Sequence, residues 1–237
     1  FQILEGGGAL QENEEDSSPS RSSLADRIVQ FLKLAGQIQE CLDDTEELEE
    51  TAGKIRRLSE QSSERFNAEN AEYSEKSVKN PELQEERAAY FRQLFAVLRQ
   101  LEPMGEFWTK LLDELDCSVE ELLSLAAARQ EDGTELYERL VEYGVYRYFG
   151  KCAFDGDAYS RAGLAVLFAF LARLTDLNAV LRQGGLSREA QAEHIRLLSK
   201  EIEYSEENLE FLQNAFWEEE IFSEQGFSEA AKALWGV

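Results

Sequence analysis

Between Ser187 and Phe216 the chain runs thirty residues without a Gly or Pro. Within that run His194, Leu197, Glu201, Tyr204, Asn208, Phe211 and Ala215 recur at steps of three and four, a spacing that puts them on one stripe of a helix. A stripe carrying imidazole, carboxylate, phenol and amide in succession makes either a polar site able to move a proton or a hydrogen-bonded seam. Both readings stay open at this point. Tyr143, Tyr146 and Arg147 share a stripe on an earlier helical segment and are candidates to face the first.

The elements that must position these groups are helical. Beside the polar stripe lies an apolar one, Ile195, Leu198, Ile202, Leu209, Leu212 and Phe216, which with Ser205 inserted predicts a single long helix with one buried face. Upstream, Ser23 with Asp26 signals an N-cap, and a helix follows through Ile28, Phe31, Leu32, Ala35 and Ile38. Leu48 to about Phe66 reads as a weaker helix, and the polar stretch Asn67 to Pro81 as a connection. Pro81 opens the next helix, whose face is Ala88, Phe91, Leu94, Phe95, Leu98 and Leu101, and Pro103 stops it. Phe107 to Leu115 makes another. Ser118 with Glu121 forms a capping box for the one after. Thr134 to Lys151 is helical, Phe154-Asp155-Gly156-Asp157 is a break, and Asp157 caps the very apolar helix from Tyr159 to Leu181. Gly184-Gly185 closes that helix, Ser187 caps the next, and Ser228 to Trp235 adds a short last one. Nothing alternates as a strand would. The prediction is an all-α antiparallel helical bundle of about seven to nine helices, organised as a tail over 1–22, a helical segment over 23–80 and a bundle over 81–237.

Composition narrows the partners. Against 24 basic residues stand 48 acidic ones, a formal charge of −24, which repels phosphate and so argues against nucleic acid and anionic membranes. The charge serves as a solvating coat or as an attraction for a basic protein surface. Cys41, Cys117 and Cys152 lie far apart with no paired spacing, so they predict neither disulfides nor a metal site and suit a reducing cytosol. Phe1-Gln2-Ile3-Leu4 has no signal-peptide shape and looks like a cut in a longer chain. The apolar run Ala162 to Ala172 is too short for a bilayer. Asp155-Gly156-Asp157 lacks the further acids of a calcium loop, and Gly6-Gly7-Gly8 has no Lys-Ser/Thr behind it to hold phosphate. His194, the one histidine, is expected on a helix surface, and Trp108, Trp217 and Trp235 in packing roles.

The order of motifs nevertheless has a likeness. Phe91-Arg92-Gln93-Leu94-Phe95, Leu101-Glu102, Trp108, Leu111-Leu112, Glu142-Tyr143, Tyr146-Arg147-Tyr148-Phe149 and Phe154-Asp155-Gly156-Asp157 lead to Ser199-Lys200-Glu201-Ile202-Glu203-Tyr204-Ser205-Glu206-Glu207-Asn208-Leu209. Together they resemble the C-terminal part of the flagellin lysine-N-methylase family, over roughly Glu85 to Phe216. Residues 1–80 show no matching pattern. The resemblance implies a bacterial cytoplasmic enzyme that methylates lysines of flagellin with S-adenosylmethionine as donor. It also implies an N-terminal cysteine-rich region suited to an iron–sulfur cluster, which is not present in this chain; that cluster and a contact with that region belong to the expectation for the whole protein, and the fragment alone is expected to be inactive.

Lysine methylation requires a deprotonated amine, a sulfonium held in line and a partly apolar slot for the lysine stem. On the strength of the resemblance, Glu201, Tyr146 and Tyr204 are the expected catalytic residues, and Tyr143, Arg147 and Asn208 the expected substrate- or donor-binding ones. The alternative for the same groups is a structural Arg147–Glu201 ion pair shielded by tyrosines. Two non-enzymatic readings stand beside the enzyme: an acidic helical module binding a basic protein, and a scaffold for the missing region.

Overall fold

The computed structural model describes residues 22–44, 48–66, 81–129 and 133–236, and every regular element among them is helical. Of the expected tail over 1–22, residues 1–21 with Gly6-Gly7-Gly8 lie outside the described residues, as do residues 67–80 of the expected connection. The helices are α1 (Leu24–Asp44), α2 (Leu48–Phe66), α3 (Pro81–Leu98), α4 (Glu106–Cys117), α5 (Val119–Ala128), α6 (Thr134–Arg147), the single turn α7 (Cys152–Asp155), α8 (Ala158–Gln183), α9 (Arg188–Glu203), α10 (Glu206–Glu218) and α11 (Glu224–Trp235). Short 3-10 turns at Phe149–Lys151 and Glu220–Phe222 complete the path.

Local chemistry sets most boundaries. At the start of α1, Ser23 Oγ accepts from the Asp26 N–H (3.1 Å) while the Asp26 carboxylate accepts from the Ser23 N–H (3.2 Å), a reciprocal cap. Asp157 accepts from the Ser160 N–H at α8, and Ser187 from the Ala190 N–H at α9. Gly184 ends α8 at φ 76°, a left-handed conformation that a Cβ would strain. Three expectations need correction. Ser118 makes no side-chain cap: it is the one residue between α4 and α5, C-cap of the first and N-cap of the second, and at φ −124° and ψ 20° its backbone N–H donates to the Leu115 carbonyl that closes α4. The helix predicted across Ser187–Phe216 is two helices: Ser205 turns extended and its Oγ accepts from the Asn208 N–H (3.1 Å), restarting the helix as α10. That break raises the helices of ten residues or more to ten among the described residues. Finally, α11 begins at Glu224 rather than Ser228, with Ser223 as its cap.

The bundle is built around α8, which packs against α1, α4, α5, α6, α9, α10 and α11. By length and composition this helix is long enough to cross a bilayer, contrary to the shorter apolar run read from the sequence, but 89% of its most apolar window is buried in the bundle, so its apolar surface is spent on the core. Its small residues decide how close the neighbours come. A Cβ on Gly144 of α6 would stand 2.6 Å from the Ala165 Cβ, and one on Gly163 would stand 2.1 Å from the Phe216 ring. Phe170, Phe216, Phe222, Phe227, Trp235 and Tyr137 stack in one cluster with centroid separations from 4.3 to 5.7 Å. Each buried Phe contributes about 2–3 kcal/mol. An exposed ion pair contributes about 0–1 kcal/mol, so the aromatic core holds the bundle and the many surface pairs do not. One pair is different: Arg27 of α1 and Glu138 of α6 are buried and joined by both guanidinium NH2 groups, the second at 3.0 Å.

Candidate functional site

The residues expected to act together separate into two groups, Glu201 of α9 with Asn208 of α10, and Tyr143, Tyr146 and Arg147 of α6 with Tyr204 at the end of α9. Glu201 is buried and its Oε2 accepts from the Met104 N–H at 2.6 Å. Asn208 is buried as well; its Oδ1 accepts from the Glu102 N–H (2.8 Å), and its Nδ2 donates to the carbonyls of Glu102 and Glu201, both at 2.9 Å. These two side chains therefore grip the loop between α3 and α4. Trp108 Nε1 closes the same loop from below by donating to the Leu98 carbonyl (3.2 Å). Neither Glu201 nor Asn208 meets Arg147, so the Arg147–Glu201 pair does not form.

Tyr143 of α6 and Tyr148, the residue just after it, face Glu203 instead. Tyr148 donates to Glu203 Oε1 at 2.6 Å and Tyr143 donates to the same oxygen at 3.1 Å. Ser199 donates to the other oxygen, and Arg147 Nε lies 3.9 Å away. The Glu203 side chain is only 8% exposed. Burial, followed by the hydrogen bond to Glu203, pushes the Tyr148 hydroxyl above its ordinary range. Burial, then the Glu203 charge, moves Tyr143 the same way. Both phenols are thus held as protonated donors at neutral pH, which suits them to orienting a carboxylate and not to taking a proton. Tyr143 keeps 46% of its surface exposed, and on the same two segments Tyr146 is 79% and Tyr204 76% exposed.

Sequence reasoning missed Glu203, Tyr148 and Ser199. The Ser199–Glu203 spacing of one helical turn was the available signal, since it places a donor directly over the carboxylate. It also misplaced His194, which is not a free surface residue. Its Nδ1 meets Asp176 Oδ1 at 2.9 Å, and Asp176 Oδ2 accepts from the Tyr137 hydroxyl (2.8 Å) and from Gln191 Nε2 (2.6 Å). Arg173 lies over the Tyr137 ring with 5.3 Å to its centroid. Arg173 and Asp176, charged residues inside the most apolar helix, were the hint. This buried network ties α9 to α8 and α6.

The donor sets present do not fit an iron–sulfur cluster. Cys41, Cys117 and Cys152 sit on three different helices, and no group of three or more His, Cys, Asp or Glu able to hold a metal occurs among the described residues. Nor does the tyrosine seam fit S-adenosylmethionine, since residues half to four-fifths exposed form a surface and not the enclosed slot that a nucleoside requires.

No curated protein and no solved structure matches the chain. A family model does, and it starts at residue 20 rather than at Glu85, so it takes in α1 and α2, where the sequence had shown no pattern. The model is that of the FliB lysine N-methylase C-terminal domain, it spans residues 20–228, and the chain belongs to that family.

Proposed function

We propose that this chain is the substrate-recognising part of a bacterial cytoplasmic methylase that acts on lysines of flagellin, and that it is inactive alone. The observation that carries this reading is a pair of segments, α6 and the end of α9, that bring Tyr143 and Tyr148 onto the Glu203 carboxylate while Tyr143, Tyr146 and Tyr204 keep their rings exposed. Aromatic faces beside a negative charge attract an ammonium and cover the aliphatic stem of a lysine. Arg147, at the edge of the seam, tempers that charge. Glu201 and Asn208 act at one remove: by fixing the loop before α4 they keep the end of α9 and the start of α10 in place. S-adenosylmethionine and any iron–sulfur chemistry are assigned to the remainder of the methylase, so no methyl-transfer step is derived from the residues of this chain.

The test uses the full methylase, flagellin and labelled donor. Tyr146→Ala with Tyr204→Ala is expected to raise KM for flagellin about tenfold, the loss of roughly one to two cation–π contacts, while kcat stays within about twofold. The chain by itself should transfer nothing. Unchanged KM in the double variant, or a fall confined to kcat, removes the recognition role.

A further inference from the structure

A groove of about 410 Å3 runs between α3 and α11, away from the seam on α6 and α9. Its floor is apolar, with Leu83, Phe91, Ile221 and Ala230. Tyr90 forms a wall, fixed by its hydroxyl donating to the Ile221 carbonyl at 2.9 Å. Gly226 permits this arrangement, because a Cβ there would lie 3.0 Å from both the Tyr90 ring and the Ile221 carbonyl oxygen. The two lips are acidic. Glu86, with exposed Glu82 and Glu85 before it, stands on one side; Glu220, with exposed Glu218 and Glu219, stands on the other. Among the described residues Arg87 is the one cation of the lining, and its charge is drawn to Glu229, which Lys232 also binds at 2.7 Å. That leaves the field of Glu86 and Glu220 directed into the groove.

We propose that this groove binds an extended, lysine- or arginine-bearing segment of a protein partner. The cationic head would lie between Glu86 and Glu220 and the aliphatic stem along Tyr90 and Ile221, while Gln93, Ser223 and Gln225 on the lining supply hydrogen bonds for a peptide backbone. Charge complementarity selects the occupant. A phosphate or anionic lipid is repelled by both lips, and the carboxylates are on opposite sides rather than gathered, so they make no metal site among the described residues. An uncharged peptide would leave both acidic lips unmatched. The proposal goes beyond the recognition of a methylatable lysine, since it needs no methylation and uses different helices.

The experiment titrates a short fluorescein-labelled Gly/Ser peptide with spaced lysines into the chain at low salt. Saturable binding is expected, and Glu86→Gln with Glu220→Gln should weaken it about threefold to tenfold, as two partly exposed charge contacts are lost. Raising salt to physiological strength should weaken binding to the unaltered chain by a similar factor. Glu206→Gln with Glu210→Gln, an exposed pair on α10, should leave affinity within about twofold. Acetylating the peptide lysines should abolish binding. Equal weakening by the α10 pair, equal binding of the acetylated peptide, or no binding at all overturns the proposal. Tyr146→Ala with Tyr204→Ala should not alter this titration, so failure here and failure of the tyrosine-seam reading are separate results.

Discussion

Replacing Asn208 with Ala removes three hydrogen bonds at once, two to Glu102 and one to the Glu201 carbonyl. Each such bond contributes about 0.5–1.5 kcal/mol net, and a buried partner left without one costs about 1–3 kcal/mol. Glu102 is exposed, so water can take over its N–H and carbonyl once the amide is gone. The net loss is therefore placed at about 2–3 kcal/mol, below the sum of the three. For a chain of this size 1 kcal/mol moves Tm by about 2–4 °C, so Asn208→Ala is expected to melt roughly 5–10 °C lower. Circular dichroism reads the melt. Amide hydrogen exchange reads the cause: protection should fall first at Glu102 and Met104, ahead of α8. Asn208→Asp sharpens the argument. One carboxylate oxygen still accepts from the Glu102 N–H, but the other is forced against the two carbonyls that Nδ2 now serves at 2.9 Å. The ionised form is disfavoured there, so the introduced group has a folded-state pKa above its unfolded value of about 3.9. Its stability is then complete below about pH 4 and is lost as pH rises through the raised value. The gap to the unaltered chain should be small in acid and wide at neutral pH. A melt within about 1 °C of the parent for Asn208→Ala, with Glu102 still protected, refutes the clamp.

Two further outcomes follow from packing and burial. Gly163→Ala puts a methyl 2.1 Å from the Phe216 ring and Gly144→Ala one 2.6 Å from the Ala165 Cβ; each should cost about 1–3 kcal/mol by denaturant titration, and a neutral result at either would mean that α8 has slack against α10 or α6. On the alkaline side, burial holds the hydroxyls of Tyr90, Tyr137, Tyr148 and Tyr159 well above their ordinary value. A folded pKa above the unfolded one means full stability below about pH 10 and progressive loss above it, so these four should ionise only as the bundle unfolds; smooth titration of all tyrosines near pH 10 at 295 nm, with helicity intact, would contradict their burial.

Why the helices were legible and the site was not comes down to range. Caps are local, and Ser23 with Asp26, Asp157 and Ser187 each act within three residues, so the sequence carries them in full. The break at Ser205 was hidden because two consecutive helices can share one buried face. The seven-residue gap from Ile202 to Leu209 equals two turns, and the apolar stripe keeps its phase across it. Ser205 with Asn208 was the mark of a new start, but a Ser inside a helical period reads as helix unless its backbone is known to leave it.

The choice between Glu201 and Glu203 was of another kind. Two residues apart on one helix, they point about 200° apart around its axis, so they can never serve the same neighbour. Periodicity joins Glu201 to Tyr204 and Asn208, yet only Glu201 and Asn208 meet the same loop, and Tyr204 is exposed. What periodicity cannot supply is the neighbour each stripe meets. Long-range packing turns Glu201 toward the loop that enters α4, and it brings Tyr143 of α6 and Tyr148 just after it to Glu203 on the other side. The consequence reaches the chemistry. A buried carboxylate bonded to a backbone N–H is an anchor, whereas one held by the buried Tyr148 and the half-exposed Tyr143 lies beside an aromatic face that can receive a cation. Tests of recognition therefore belong at Tyr146 and Tyr204, and tests of architecture at Asn208. A variant of Glu201 would confound the two, because loosening the α4 loop would also shift the end of α9 on which the tyrosine surface depends.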